Sequence, residues 1–512
     1  MRDIRAKPLP ITNDPKKRTL TTLSPVLTIK RGIMTIEQGR ELLTQAKERL
    51  RSRRALGFFN AAFHQLNRDP NDGMAWYERL PHVSFLVAKW ALASWCPRDD
   101  RADPDQEDIR YVFATTWDAI GHLHMVDERP TIFMRRMVLQ QVWFQRRFDN
   151  SALARQYRIL GEMMAGTPIA EQFTRDFGLS PAEFIVQLAH LAADTGDQLG
   201  LQAMSEQRPE TPRDPEHWLI VQAHYSRSVS DFHDELSELE TRYTPSEVEV
   251  CEQSPLIRTP FMLSHHGPVC IHHKLLFQTL TTAVFDLARS LGARPFMNIF
   301  GPAFEEYVAE VLADLNGHVI REAALMALLV GEGRVVDFAL VSDDALVLID
   351  AKGVEGHYDE LYHNMPAVLA ERLKTSLLRA TSQAAGTVAR LPNPLIRAET
   401  YFVCITFKQL VVTDGATLRE LTAGTEEWDH PRWSSGALTP GRMLFVSIYE
   451  FESMVALAIA REVSLSQVIR EIVTANADPA TRKALVEQHV TGQGVALLAP
   501  TCVQEAALRL RA

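Results

Sequence analysis

The sequence predicts a multidomain chain of α and α/β class: a helical N-terminal region, an α-β-β-β-α-β domain and a helical C-terminal tail. Three observations predict it. Apolar residues recur at helical spacing from about 34 to 245, as in "TIEQGRELLTQAKERL" and "SPAEFIVQLAHLAADTG". From about 296 the order becomes helix, several strands, helix, strand. After 450 helical spacing returns, with Ser464 a cap for "SLSQVIREIV".

Residues 1–30 are expected to be an extended basic arm, because Pro8, Pro10, Pro15 and Pro25 break any helix. Residues 31–245 form the expected helical domain. Residues 246–295 read as a hairpin turning at His266-Gly267, followed by the connecting helix "LLFQTLTTAVFDLARSLG". Residues 296–455 hold the α/β domain, whose last strands are "ETYFVCITF" and "RMLFVSIY". Residues 456–512 are the helical tail.

The 512 residues suffice for about two to four domains. No apolar run reaches the length of a membrane span, so no membrane partner is expected. The charged, proline-containing N-terminus lacks the apolar core of a secretory signal, which predicts a cytoplasmic protein. The five cysteines are scattered, with no CxxC pair, which argues against disulfides and cysteine-rich zinc sites. The net charge of −10 argues against a protein coated with nucleic acid. It is unevenly spread: residues 1–100 hold 18 Lys and Arg against 10 Asp and Glu, the remainder 36 against 54. A basic section on an acidic body suits a phosphate-contacting arm, and a solvated leader has the same composition.

Within the α/β domain, "GRVVDFALVSDDALVLIDAKG" (Gly333–Gly353) sets two carboxylates and an ammonium into apolar sequence. It reads as two strands joined by a tight turn at Asp343-Asp344. Such a loop puts Asp337 directly opposite Asp350, with Cβ atoms roughly 5 Å apart. Lys352, two residues on, shares their face. A three- or five-residue loop would shift this register. The remaining positions are apolar on both faces, so both faces should be covered. Two carboxylates there repel each other and lose hydration, at a cost of roughly several kcal/mol. A divalent cation removes that cost, and oxygen-only ligands suit Mg²⁺ or Mn²⁺. A lysine beside it can position or deprotonate a water for attack on a phosphodiester. An Asp350–Lys352 pair at the wet end of a strand, with Asp337 in a salt bridge, would give the same sequence.

These residues resemble the PD-(D/E)XK phosphodiesterase superfamily, the restriction-endonuclease-like fold, over roughly residues 296 to 455. The resemblance implies metal binding by Asp337 and Asp350, with Lys352 in the tripeptide Asp350-Ala351-Lys352. Val336 replaces the proline usual before the first Asp. The family often adds a Glu on the first helix. "GPAFEEYVAEVLADL" offers Glu305 and Glu306, and Glu305 shares a face with Val308 and Leu312, which favours it as the third metal residue. An acid-rich helix start that suits the helix dipole is the plainer reading. Some branches carry a Gln four residues before a Tyr on the following helix. Gln383 matches, but Thr387 stands where the Tyr would be. The resemblance implies a metal-dependent DNA nuclease with DNA as partner, and leaves room for a regulatory protein. Nucleases joined to large helical regions resemble genome-defence or restriction-type effectors, an expectation resting on analogy. The alternative is a nuclease-like fold kept as a scaffold or binding module.

Other motifs carry less. "VWFQRRF" (Val142–Phe148) lacks the base-reading Asn of a homeodomain helix. Ile169–Leu191 is helix-turn-helix-like around Gly178-Leu179-Ser180, but has little positive charge on its second helix. "KERLRSRR" (Lys47–Arg54) is the best local candidate for phosphate contact, or a solvated helix face. His265, His266, Cys270, His272 and His273 could bind zinc only if residues on opposite hairpin faces converged.

Overall fold

The computed structural model describes residues 35–68, 81–124, 148–242, 249–250, 254–265, 267–315, 317–353, 366–392, 399–422 and 438–512, with a few isolated positions between them. The expected basic arm (1–30), most of "VWFQRRF" and His266 lie outside them. Among the described residues the fold is mixed α and β, mainly helical, with two small mixed sheets. No helix among them is long and apolar enough to cross a membrane.

The described residues begin with helices, as their apolar spacing requires. Helices α1 (Ile36–Arg51), α2 (Ala55–Asn67), α3 (Pro81–Ala93) and α4 (Gln106–His124) enclose a core around Leu43, Phe58, Val87, Trp90 and Phe113. A capping box of Thr35 and Gln38 starts α1 by satisfying its first amides. Next come α5 (Ala152–Gln156), which runs into a π-helical segment (Tyr157–Met163), then α6 (Pro168–Phe177) and α7 (Pro181–Leu199). Gly178 ends α6 in the left-handed conformation, and Ser180 caps α7 two residues later. Helices α8 (Pro215–Tyr225) and α9 (Val229–Arg242) flank a two-residue strand β1 (Ser226–Arg227), which the helical pattern does not announce. It pairs with the expected hairpin, β2 (Phe261–Ser264) and β3 (Gly267–Cys270).

Helix α10 (His273–Ser290) leads to α11 (Ala293–Ala313). The second sheet then forms from β4 (His318–Arg321), β5 (Phe338–Val341), β6 (Ala345–Lys352), β7 (Glu399–Thr406) and β8 (Met443–Ser447), in spatial order β4-β5-β6-β7-β8. The first two pairings are antiparallel, the last two parallel. Helix α12 (Glu322–Leu328) follows β4. Helices α13 (Pro366–Leu373) and α14 (Arg379–Val388) cross from β6 to β7, and α15 (Gly415–Leu421) links β7 to β8. The tail holds α16 (Ile448–Ala460), α17 (Leu465–Ala477) and α18 (Thr501–Arg511). Ser464 caps α17 as expected.

Both faces of the second sheet are covered. One face of β6 (Ala345, Val347, Ile349) joins a core with Phe300, Phe304 and Val308 of α11. The other (Leu346, Leu348) packs with Leu369, Ala380 and Ala384 of α13 and α14. The first of these cores is one cluster that draws residues from Leu153 to Leu510, on both sides of the expected boundaries at 245, 295 and 455. Residues Thr35–Ala512 pack as one unit.

Candidate active site

The site forms where the β4–β5 and β5–β6 ladders end together, beside the last residues of β6. The β5–β6 ladder has the expected register, closing at Ser342, whose amide donates to the Ala345 carbonyl at 2.9 Å. Its last pair is Phe338 with Ile349, and the last β4–β5 pair is Arg321 with Phe338. One step beyond both pairs lie Glu322, Asp337 and Asp350, a row of three acids across the sheet end. Strand β5 starts later than its sequence suggests: Val335 and Val336 are buried but not in the ladder. The Asp337 carboxylate replaces the next rung, accepting the Ala351 N–H at 2.7 Å.

Helix α11 adds the fourth acid. Its Phe296, Phe300 and Phe304 rings stack along one stripe against the sheet. Gly353 lets the helix cross closely over the end of β6, since a Cβ there would meet the Phe300 ring at 2.8 Å. Glu306 turns outward to Arg321, at 2.7 and 3.1 Å. Glu305 turns inward, and carboxylate oxygens of Glu305, Glu322 and Asp337 all lie within 4.8 Å of one another. Among the described residues this is the one group of three acidic, histidine or cysteine side chains spaced to hold a metal ion.

Asp350 stands apart from the trio although it neighbours Asp337. It shares a face of β6 with Leu346 and Leu348, the face that packs on α13 and α14, whereas Glu305 arrives from the opposite face. It is fully buried. Lys352 Nζ lies 2.8 Å from its Oδ2, yet neither of its oxygens has an aligned hydrogen bond. Burial, then the Asp337 charge, push the Asp350 carboxyl up to about 8, against the pull of Lys352. Burial also works against the Lys352 ammonium, but Asp350 and Asp337 outweigh it and hold Lys352 above its ordinary range. Glu305 is pushed up to about 7 by burial, then by Asp337 and Glu322. Burial and Asp337 raise Glu322 as well. Such clustering of perturbed groups fits a functional site better than a stabilising one. The donors are all carboxylate oxygens, which fits a cation.

Gln383 does not reach the trio: its side-chain amide donates to the Val335 carbonyl, two residues before Asp337. Sequence reasoning missed Glu322. The signal that finds it is the β4 register, which sets residue 322 beside 337.

The remaining motifs are used structurally. In "KERLRSRR", Lys47 pairs with buried Glu249 at 2.9 Å, Arg49 and Arg53 with Asp108 at 2.5 and 2.9 Å, and Arg54 with Asp103 at 3.3 Å. This engages in ion pairs four of the five cations expected to meet phosphate. Helix α7 carries no Lys or Arg and buries most of its length, unlike a helix that reads DNA. His272 accepts the Lys274 N–H through Nδ1, and burial pushes its imidazole down to about 3. No family model, curated protein or solved structure matches the chain.

Proposed function

We propose that this chain is a nuclease of the restriction-endonuclease-like kind, hydrolysing phosphodiester bonds in DNA with Mg²⁺ or Mn²⁺. One observation carries the reading: Glu305, Glu322 and Asp337 direct carboxylate oxygens to one point at a sheet end, beside the Asp350–Lys352 pair. The order of elements around it supports the resemblance apart from the short helix α12, which follows the first strand: helix, strand, α12, two strands, helices, strand. The all-oxygen donor set favours a hard divalent cation. When bound, such an ion supplies a Lewis acid and lowers the pKa of a bound water.

The chain's own groups divide the rest of the work. Asp337 is held in place by the Ala351 amide. Glu305 and Glu322 complete the ligand set from the two elements on either side. Lys352 keeps its proton at neutral pH because Asp350 and Asp337 stabilise it. It therefore serves as a donor rather than a base, orienting the attacking water and offsetting charge that develops on the phosphate oxygens. Asp350 fixes the Lys352 head. For substrate, residues 1–30 carry seven Lys and Arg against two Asp, the composition best suited to backbone phosphates.

The test is cleavage of supercoiled plasmid and linear DNA in Mn²⁺ by wild type and Lys352→Ala. Wild type should cut and the variant should not. Full cleavage by Lys352→Ala sinks the proposal. Absence of cleavage by wild type, with stability indifferent to Mn²⁺, favours a scaffold built on the same fold.

A further inference from the structure

We infer that the face of α14 turned toward residues 333–336 is a clamp that sets the position of Asp337, with Thr387 and Arg390 as its positioning residues. The inference rests on the metal site proposed above. It concerns a segment that reads as strand but is held otherwise. Val335 and Val336 are apolar, β-branched and buried, yet the ladder begins only at Phe338. Their backbone groups need partners away from water, and α14 supplies them.

Gln383 and Thr387 lie four apart on α14, so they face the same way, and Arg390 follows in the turn that ends the helix. Thr387, fully buried, accepts the Val336 N–H through its hydroxyl at 3.3 Å and donates to the Gln383 carbonyl at 2.9 Å. Gln383 donates to the Val335 carbonyl. The Arg390 guanidinium donates to the carbonyls of Arg334 and, at 3.1 Å, Gly333, while its Nε is tied to the Gly386 carbonyl at 3.0 Å. Gly333 has φ +142°, and a Cβ there would press on the guanidinium at 3.3 Å. Four consecutive residues thus turn one backbone group each to α14 and the turn that ends it, and Asp337 is the next residue.

Asp337 is consequently pinned from both sides, by the clamp before it and by the β5–β6 ladder after it. A ligand fixed in this way keeps its carboxylate within the few tenths of an ångström that a coordination shell requires. Thr387 is the informative member. A valine fills the same volume and suits a buried position, so packing alone would not call for a hydroxyl. Partners one shell out from a metal ligand typically alter metal affinity about 10- to 100-fold.

The experiment is calorimetric titration of the full chain with Mn²⁺ for wild type, Thr387→Val, Thr387→Ser and Arg390→Met, with each protein's melting temperature taken in the absence of metal. Thr387→Val should bind Mn²⁺ about 10-fold more weakly, and Thr387→Ser should restore the affinity. Arg390→Met, acting on groups further from Asp337, should give a smaller loss. A merely structural role would lower the melting temperature and leave the affinity of the folded protein unchanged. That result for Thr387→Val overturns the inference. Should Thr387→Val fail to fold, unchanged affinity in Arg390→Met overturns it equally. A wild type that does not bind Mn²⁺ removes the metal reading and the clamp together, whereas a binding wild type with unaltered variants removes the clamp alone.

Discussion

Asp337 faces Asp350 across the end of the β5–β6 hairpin, and with burial its charge pushes the Asp350 carboxyl up to about 8. On the other side of Asp337, Glu305 is pushed up to about 7. Both groups hold their protons more tightly in the folded chain than in the unfolded one. Above the ordinary carboxylate range the unfolded chain has released these protons while the folded chain still binds them, so stability falls as pH rises toward 8. The buried histidines act oppositely but at lower pH, since their folded values lie below the ordinary range. Metal-free protein should therefore lose stability between pH 6.5 and 8.5. Glu305→Gln should lose less over the same interval, as read from urea midpoints. Equal slopes for the two proteins would contradict the electrostatics described for the site.

Glu322 separates the trio from the ligand set that sequence suggests. If it is a ligand, Glu322→Gln should weaken Mn²⁺ binding at least about 10-fold, no less than the loss of an outer partner. The chain should stay folded, because Glu322 lies at a strand end and is not part of the core. Unaltered Mn²⁺ affinity by calorimetry would exclude Glu322 from the site.

Lys352→Met keeps the apolar stem and removes the ammonium. If Lys352 acts as proposed, as a donor and not as a ligand, this variant should still bind Mn²⁺ while cleavage of DNA falls by about 100-fold or more. Loss of binding and cleavage together would instead mean that Lys352 holds the site in shape.

Helices α5–α7 and the second sheet share one interior, and a buried ion pair crosses it. Arg155 of α5 makes a two-pronged contact with Glu452 of α16 at 2.6 Å on both prongs, reaches Asp149 at 3.0 Å, and meets Tyr307 of α11 through the shared carboxylate. Arg155→Met leaves Glu452 buried without its counter-charge and should cost about 3–5 kcal/mol. The chain should still unfold in a single urea transition. Two separated transitions would show that the helices and the sheet are independent units.

The hairpin register is legible in the sequence because a two-residue turn at Asp343-Asp344 fixes the pairing of the two apolar strands that flank it. The choice of Glu305 over Glu306 follows in the same way from helical phase. Glu322 is not legible. It is the first residue after a four-residue strand, and its place beside Asp337 depends on a pairing that spans α12 and the loop after it. Nor does sequence show that Asp350 stands outside the trio, because that depends on which face of β6 receives α11. Val335 and Val336 read as strand by residue type, and tertiary bonds to α14 override that preference. The ion pairs of the basic run at Lys47–Arg54 are illegible for a related reason. The partner of Lys47, Glu249, lies about 200 positions away, so local charge cannot reveal that it is neutralised.

The central claim is that Glu305, Glu322 and Asp337 hold one divalent cation against the Asp350–Lys352 pair. The most direct measurement is anomalous scattering from a crystal of the full chain grown with Mn²⁺. A single peak roughly 2.0–2.3 Å from one oxygen of each of the three carboxylates, with Lys352 still on Asp350, is the expected result. A crystal with no peak there, or with the ion on Asp350 and Glu322 turned away, would contradict it.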